Sequence, residues 1–349
     1  MKDESANVNR VDDNKSSICE NGVAEELEEM KDWSAQCPCV SVDTWEDFFK
    51  IAVRVASGKW VFRGHESEEW GLTSGLEREH RFYETYANCV NSKAPTGHTK
   101  RLELHNNYDF WVDDLALSPT PESEQYAIRR FKQLVVGTML DQRTLSDVEW
   151  LSVMQHYGTM TRLLDFSTSI MVALFFAFEK RILPNSPRRS IYAVNIGKIA
   201  EYLISRFDNA PNTILKREDL FLKFANSIIS GESIGVDKGI VPIWLPGNNQ
   251  RIIAQSGVFL LPIDFSGFEE NLKCSLGVEK LASESEITAN EFFSRDILGL
   301  NIFKLNFSKD LERTAWDILE QFNITPYHVY PDIVGVAKTV RYRKLYSLA

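Results

Sequence analysis

Three short stretches, far apart in the chain, carry the residue types that could hold a phosphorylated ligand. In "VFRGH", residues 61–65, Arg63 ends an aromatic and β-branched run, and Gly64 after it lets another backbone or a ligand come close. In "DFSTSIMVALFFAFE", residues 165–179, Ser167, Thr168 and Ser169 stand before an apolar run. One of these hydroxyls suits the N-cap of a helix, and the first free amides of that helix suit an anion. In "NNQRIIAQSGVFLLP", residues 248–262, Arg251 and Gln255 precede an apolar strand pattern. Together an arginine fork, a hydroxyl-rich helix start and a carboxamide could grip a diphosphate and a ribose.

Each residue also has a plainer use. Arg63 could pair with Asp165, or Arg162 and Asp165 could pair within their own turn. Gln255 suits either a ribose hydroxyl or a backbone group. Tyr157, at a helix end beside the second stretch, suits either stacking on a base or packing.

Other chemistries lose support from spacing. Gly231-Glu232-Ser233-Ile234-Gly235 spells G-x-S-x-G, but a helical pattern precedes it where a nucleophile elbow needs a strand. Cys37 and Cys39 form a lone pair, and the six histidines show no metal-binding spacing, so no metal is expected. Neither G-x-G-x-x-G nor a Walker lysine motif occurs.

The elements that must position these residues read as a mixture. "SVDTWEDFFKIAVRVASG" puts Trp45, Phe48, Phe49 and Ala52 on one helical face, and "KWVFRGH" follows as a strand. There Trp60 and Phe62 point to the core and Arg63 to a cleft. A helix with Ile128, Phe131, Leu134 and Val135 on one face comes next, and then a helix with a Ser146/Glu149 capping box that Gly158 ends. Later, "RSIYAVNIG" and "GVFLLPID" read as strands, "EDLFLKFANSII" and "SKDLERTAWDILEQFN" as helices, and "TVRYRKLYSLA" as a final strand. With no regular βαβ alternation, the expected class is α+β, a mixed sheet surrounded by helices.

Composition bounds the setting. The chain has 349 residues and a formal net charge of −10. Residues 1–32 hold ten Asp/Glu against four Lys/Arg, so −6 of that charge lies there. Residues 1–40 therefore read as a disordered acidic tail, on which an antitoxin or other regulator could dock. Residues 41–349 read as one domain, with an inserted loop over 88–123. The acidic balance argues against a generic nucleic-acid binder. The acidic start, the absence of a membrane-length apolar run and the odd cysteine count fit a cytoplasmic protein without a membrane partner.

"WVFRGH", "WGLTSGLER", the Glu124 and Phe131 positions of the next helix, "QHYGTMTRLLDFSTSIMVALFFAFE", "RIIAQSGVFLL" and "YPDIVG" together resemble the FRG-domain family of bacterial and phage proteins, in order from residue 59 to 336. More remotely, the arginine, the Ser-Thr-Ser step and the strand "VFLLP" resemble arginine-class ADP-ribosyltransferases. That resemblance implies a split β-sheet fold, NAD as the substrate and a macromolecular acceptor, RNA or protein. It implies catalytic roles for Arg63, Ser167 and Gln255, and places Gly64, Thr168, Ser169, Tyr157 and Arg251 around the dinucleotide. The family's setting implies a toxin or phage-defence effector. Where the transferase pattern has a catalytic glutamate pair, this chain has Gln255 and Gly257. Glu284-Ser285-Glu286 is either a displaced pair or a surface loop. The rival reading is a non-catalytic module that binds a nucleotide or a partner.

Overall fold

The computed structural model describes residues 37–56, 59–81, 119–138, 144–180, 186–206, 214–245, 250–281, 285–294 and 299–346. The acidic segment 1–36 and most of the 88–123 insertion lie outside them, as does Glu284. Among the described residues no helix is long and apolar enough to cross a membrane.

Among the described residues, one mixed sheet of eight strands organises the fold, which is α+β as expected. In chain order the strands are β1 (Cys39–Val42), β2 (Trp60–His65), β3 (Leu164–Ser167), β4 (Ser190–Asn195), β5 (Ile240–Ile243), β6 (Gly257–Pro262), β7 (Glu286–Thr288) and β8 (Ile302–Phe307). Their order across the sheet is β5-β6-β3-β2-β4-β8-β1-β7. Only β1 runs parallel to its neighbours, β7 and β8. Glu286 sits on the edge strand β7, held by Arg188 and Asn306, at the opposite side of the sheet from β6.

Pairing across the sheet is uneven. β2 is matched to β4 over six residue pairs, and β3 to β6 over four, but β2 meets β3 only at Phe62 and Ser167. The sheet thus has a seam, and the strand that carries Arg63 parts there from the strand that carries Asp165.

The helix α1 (Trp45–Arg54) begins at Thr44, whose hydroxyl accepts from the Asp47 amide, and buries Phe48 and Ile51. The helices α2 (Pro121–Leu134) and α3 (Asp147–His156) follow; the Glu149 carboxylate accepts the Ser146 amide at 2.8 Å, and Gly158 takes a φ of +92° beyond the helix end. The helix α4 (Ile170–Phe178) has no polar face because it crosses β2 inside the core, with Phe175 and Phe178 fully buried. Gly64 is what admits it: a Cβ there would lie 1.9 Å from the Ala173 carbonyl oxygen. Of the two approaches a glycine allows at this point, the backbone of α4 takes this one.

Two elements depart from the sequence reading. The late helix breaks at Thr314 into a 3-10 turn, Lys309–Arg313, and a helix, Ala315–Gln321. The expected final strand is instead a helix, α5 (Ile333–Tyr346). Asp332 accepts the Val334 and Gly335 amides through its side chain, a cap that decides the matter against the β-branched residues that follow.

Candidate functional site

A cavity of about 760 Å³ opens at the seam, and Arg63, Asp165, Ser167, Arg251 and Gln255 all line it. Three segments far apart in sequence therefore meet at one place. The volume falls in the range of ordinary ligand sites.

Where the β2–β3 ladder stops, the Arg63 Nη1 donates to the Asp165 carbonyl oxygen at 2.6 Å, and its Nε donates to the His65 Nε2 at 3.1 Å. These bonds aim the guanidinium along the seam and leave its Nη2 amine without a protein partner among the described residues. Burial pushes the Arg63 guanidinium down to about 10, helped by the charge of Arg78 and opposed by Asp165.

Because the His65 Nε2 accepts from Arg63, its proton sits on Nδ1, which faces the Trp70 carbonyl oxygen at 3.3 Å. Burial, with the Arg63 charge, depresses this imidazole to about 3. In the unfolded chain a histidine titrates near ~6.5, so between these values the unfolded state holds the extra proton. Stability must then fall as the pH is lowered through that window, by up to ~1.4 kcal/mol per pH unit. Urea unfolding across this range should show His65→Asn, which retains a donor toward Trp70, gaining on the wild type as the pH falls. A difference that does not vary with pH would refute the neutral histidine.

Asp165 faces the cavity and is exposed within it, yet the surrounding walls enclose it. The Gln155 Nε2, from α3, donates to its Oδ2 at 2.7 Å. Gln155 is oriented in turn by the Thr161 hydroxyl, which donates to its Oε1. Enclosure raises the Asp165 carboxyl above its ordinary value, against the pull of Arg63 and the Gln155 bond. The cavity therefore offers a guanidinium and a carboxylate, anchored by different elements, on the two sides of the seam.

Arg162 does not pair with Asp165. It turns into the interior, where its Nε and Nη2 meet the Glu124 carboxylate at 2.9 and 2.7 Å and its Nη1 donates to the Pro262 and Ile263 carbonyls. Both side chains of this bidentate pair are about 4% exposed, so it ties α2 to the end of β6 and leaves Asp165 to the cavity.

The serine step is bonded within the protein. The Ser167 hydroxyl donates to the Gln255 carbonyl at 2.7 Å and accepts the Ser169 amide, while no bond joins it to Arg63 among the described residues. The Thr168 amide donates to the Ser256 carbonyl, and the Ser169 hydroxyl accepts the Val172 amide as the cap of α4. Thr168 and Ser169 do not line the cavity. Tyr157 is also away from it, 64% exposed and edge-on to His156, which is the residue of that pair lining the cavity.

On the third wall, the Gln255 Nε2 donates to the Val329 carbonyl at 3.2 Å, and the next residue, Ser256, takes a φ of +48°, a left-handed turn that brings Gly257 into β6. Arg251 pairs with Asp332 at 2.8 Å and lies 4.9 Å from the Tyr330 ring centre. The Tyr330 hydroxyl donates to Glu179, which also pairs with Lys338 of α5, so the "YPDIVG" stretch closes this wall. Sequence reasoning missed Gln155, Glu179, Arg78 and Trp70 as wall residues; each lies in a stretch that carries the family resemblance, but nothing in its own spacing gave it a role.

Comparison with known proteins gives one match: residues 58–185 fit the model of the FRG domain. No curated protein and no solved structure matches the chain.

Proposed function

We propose, from the premise that this chain carries an FRG domain over residues 58–185, that its seam cavity binds NAD and moves ADP-ribose to a macromolecular acceptor, RNA or protein. The observation that carries this reading is the convergence of Arg63, Asp165 and Gln255, from three neighbouring strands or their approaches, on one cavity. In this reading Arg63 fixes the dinucleotide through its free amine. Gln255 borders the ribose, its amide braced on Val329. The negative charge that Gln255 cannot supply comes from Asp165, one strand away. There it stabilises the positive charge that develops at the ribosyl carbon as nicotinamide leaves, where a fixed opposite charge acts most strongly. The reading extends to a toxin or phage-defence effector with a regulator on the acidic segment, as the resemblance to the FRG-domain family implies.

Protein incubated with NAD labelled in its adenosine half is expected to pass label to lysate RNA or protein and to release nicotinamide. Nicotinamide release without labelled acceptor would replace transfer with hydrolysis. NAD left intact would end the enzymatic reading. In that event the engagement of Gln255 with the backbone favours the other class, a module that binds a nucleotide without turning it over.

A further inference from the structure

The end of β2 and the loop after it bring a second cation and an exposed aromatic ring to the cavity wall. Arg78 lines the cavity with Arg63 and is near enough to act on its charge. Among the described residues neither arginine is in a salt bridge. Arg63 donates to a carbonyl and an imidazole, and the Arg78 Nη1 donates to the Thr73 carbonyl at 2.5 Å.

Of the other carboxylates of the wall, Glu66 and Glu179 are engaged elsewhere, and Glu69 forms no salt bridge with either arginine among the described residues. Glu66 meets Lys180 at 3.2 Å, and Glu179 is held by Tyr330 and Lys338. Asp165 is the carboxylate that acts on Arg63, and one carboxyl cannot balance two guanidiniums. An anion bridging the two forks would relieve their repulsion, and each planar fork matches a phosphate edge.

Trp70 also lines the cavity and is 51% exposed. Its backbone is anchored by His65 through the carbonyl, and the His65 ring meets it edge-on at 6.2 Å. An indole fixed at its backbone and open at its ring is a stacking platform for a base.

We infer that this part of the cavity wall is a diphosphate site, in which Arg63 and Arg78 hold the two phosphates of a nucleoside diphosphate and the Trp70 ring carries its base. The inference rests on the nucleotide reading of the cavity and adds the class of ligand: a diphosphate is required, and the glycosidic bond to be broken points away from Trp70, toward Asp165 and Gln255.

Calorimetric titration of the whole chain with ADP, AMP, ADP-ribose and pyrophosphate tests it. ADP and ADP-ribose should bind at least about tenfold more tightly than AMP. Arg78→Ala should remove that advantage, and Arg78→Lys should restore only part of it. Trp70→Leu should weaken ADP about tenfold, the scale of one base stack, and leave pyrophosphate unchanged. Equal affinities for ADP and AMP, or an Arg78→Ala protein that binds ADP as the wild type does, would overturn the site. The two readings fail separately. Binding of ADP that depends on Arg78, without turnover of NAD, leaves the diphosphate site and removes the transferase. Transfer from NAD that is indifferent to Arg78 does the reverse.

Discussion

Asp165→Asn is expected to lower transfer from NAD by about 100-fold or more while leaving NAD affinity within a few-fold of the wild type. The substitution keeps shape and takes away charge. The Gln155 bond survives, because an asparagine oxygen accepts from the Gln155 Nε2 as the carboxylate does. The Arg63 bond survives as well, because it goes to the main-chain oxygen of residue 165 and not to the side chain. What remains to be lost is the interaction with developing positive charge, for which deletion of one electrostatic group costs on the order of 10²–10³ in rate. Stability should not suffer. Enclosure raises the Asp165 carboxyl, so the fold penalises its charged form, and an uncharged amide escapes that penalty. The same shift places the acid limb of the wild-type rate above the range of an ordinary aspartate. Activity should fall as the pH drops through that raised value, and the asparagine protein should lack this limb. Steady-state rates against pH for both proteins, with kcat and KM separated, decide the question; an asparagine protein with wild-type kcat would remove Asp165 from the reaction.

Gly64→Ala should be strongly destabilising. The added carbon would stand 1.9 Å from the Ala173 carbonyl oxygen and 2.6 Å from the Ala177 nitrogen, both of them backbone atoms that no rotamer change can move aside. Relief requires α4 to lift from β2 as a unit, which opens the core around Phe175 and Phe178. Overpacking of this kind costs about 3 kcal/mol. Equilibrium unfolding in urea should show that loss as a lower midpoint, with Gly71→Ala as the comparison, since its Cβ would meet only the movable end of Glu269. A Gly64→Ala protein as stable as the wild type would mean that α4 does not sit where its apolar sequence and this glycine place it.

The apolar run 170–178 was legible because it is hydrophobic all round, and a helix of that kind has to be buried. The capping box at Ser146 and the stop at Gly158 were legible because each acts within one turn of chain. The cavity was legible in outline, through Arg63 and Gln255, for a different reason: both stand where an apolar strand pattern begins or ends. The choice among partners was not legible. Arg162 and Asp165 are three residues apart, which suggests a pair, but Arg162 lies in the bend before β3 and turns into the interior, where it found Glu124 thirty-eight residues upstream. The hydroxyls of Ser167, Thr168 and Ser169 looked available because sequence shows donors and acceptors without their bonds. Once the loop before β6 lies across them, its carbonyls use most of what they offer. The last helix failed for a similar cause: Thr339, Val340, Tyr342 and Tyr346 in "TVRYRKLYSLA" resemble a strand, and the deciding cap comes from Asp332, outside that run.

The single rung between Phe62 and Ser167 has one more consequence. Every other neighbouring pair of strands in this sheet is fastened by at least three residue pairs, so the two half-sheets behave like two leaves of a book bound by one stitch. A molecule seated between the leaves touches both and does the binding that the absent rungs would have done. Occupancy of the site and cohesion of the architecture then become one quantity, and a ligand's affinity should be readable as heat resistance of the whole fold.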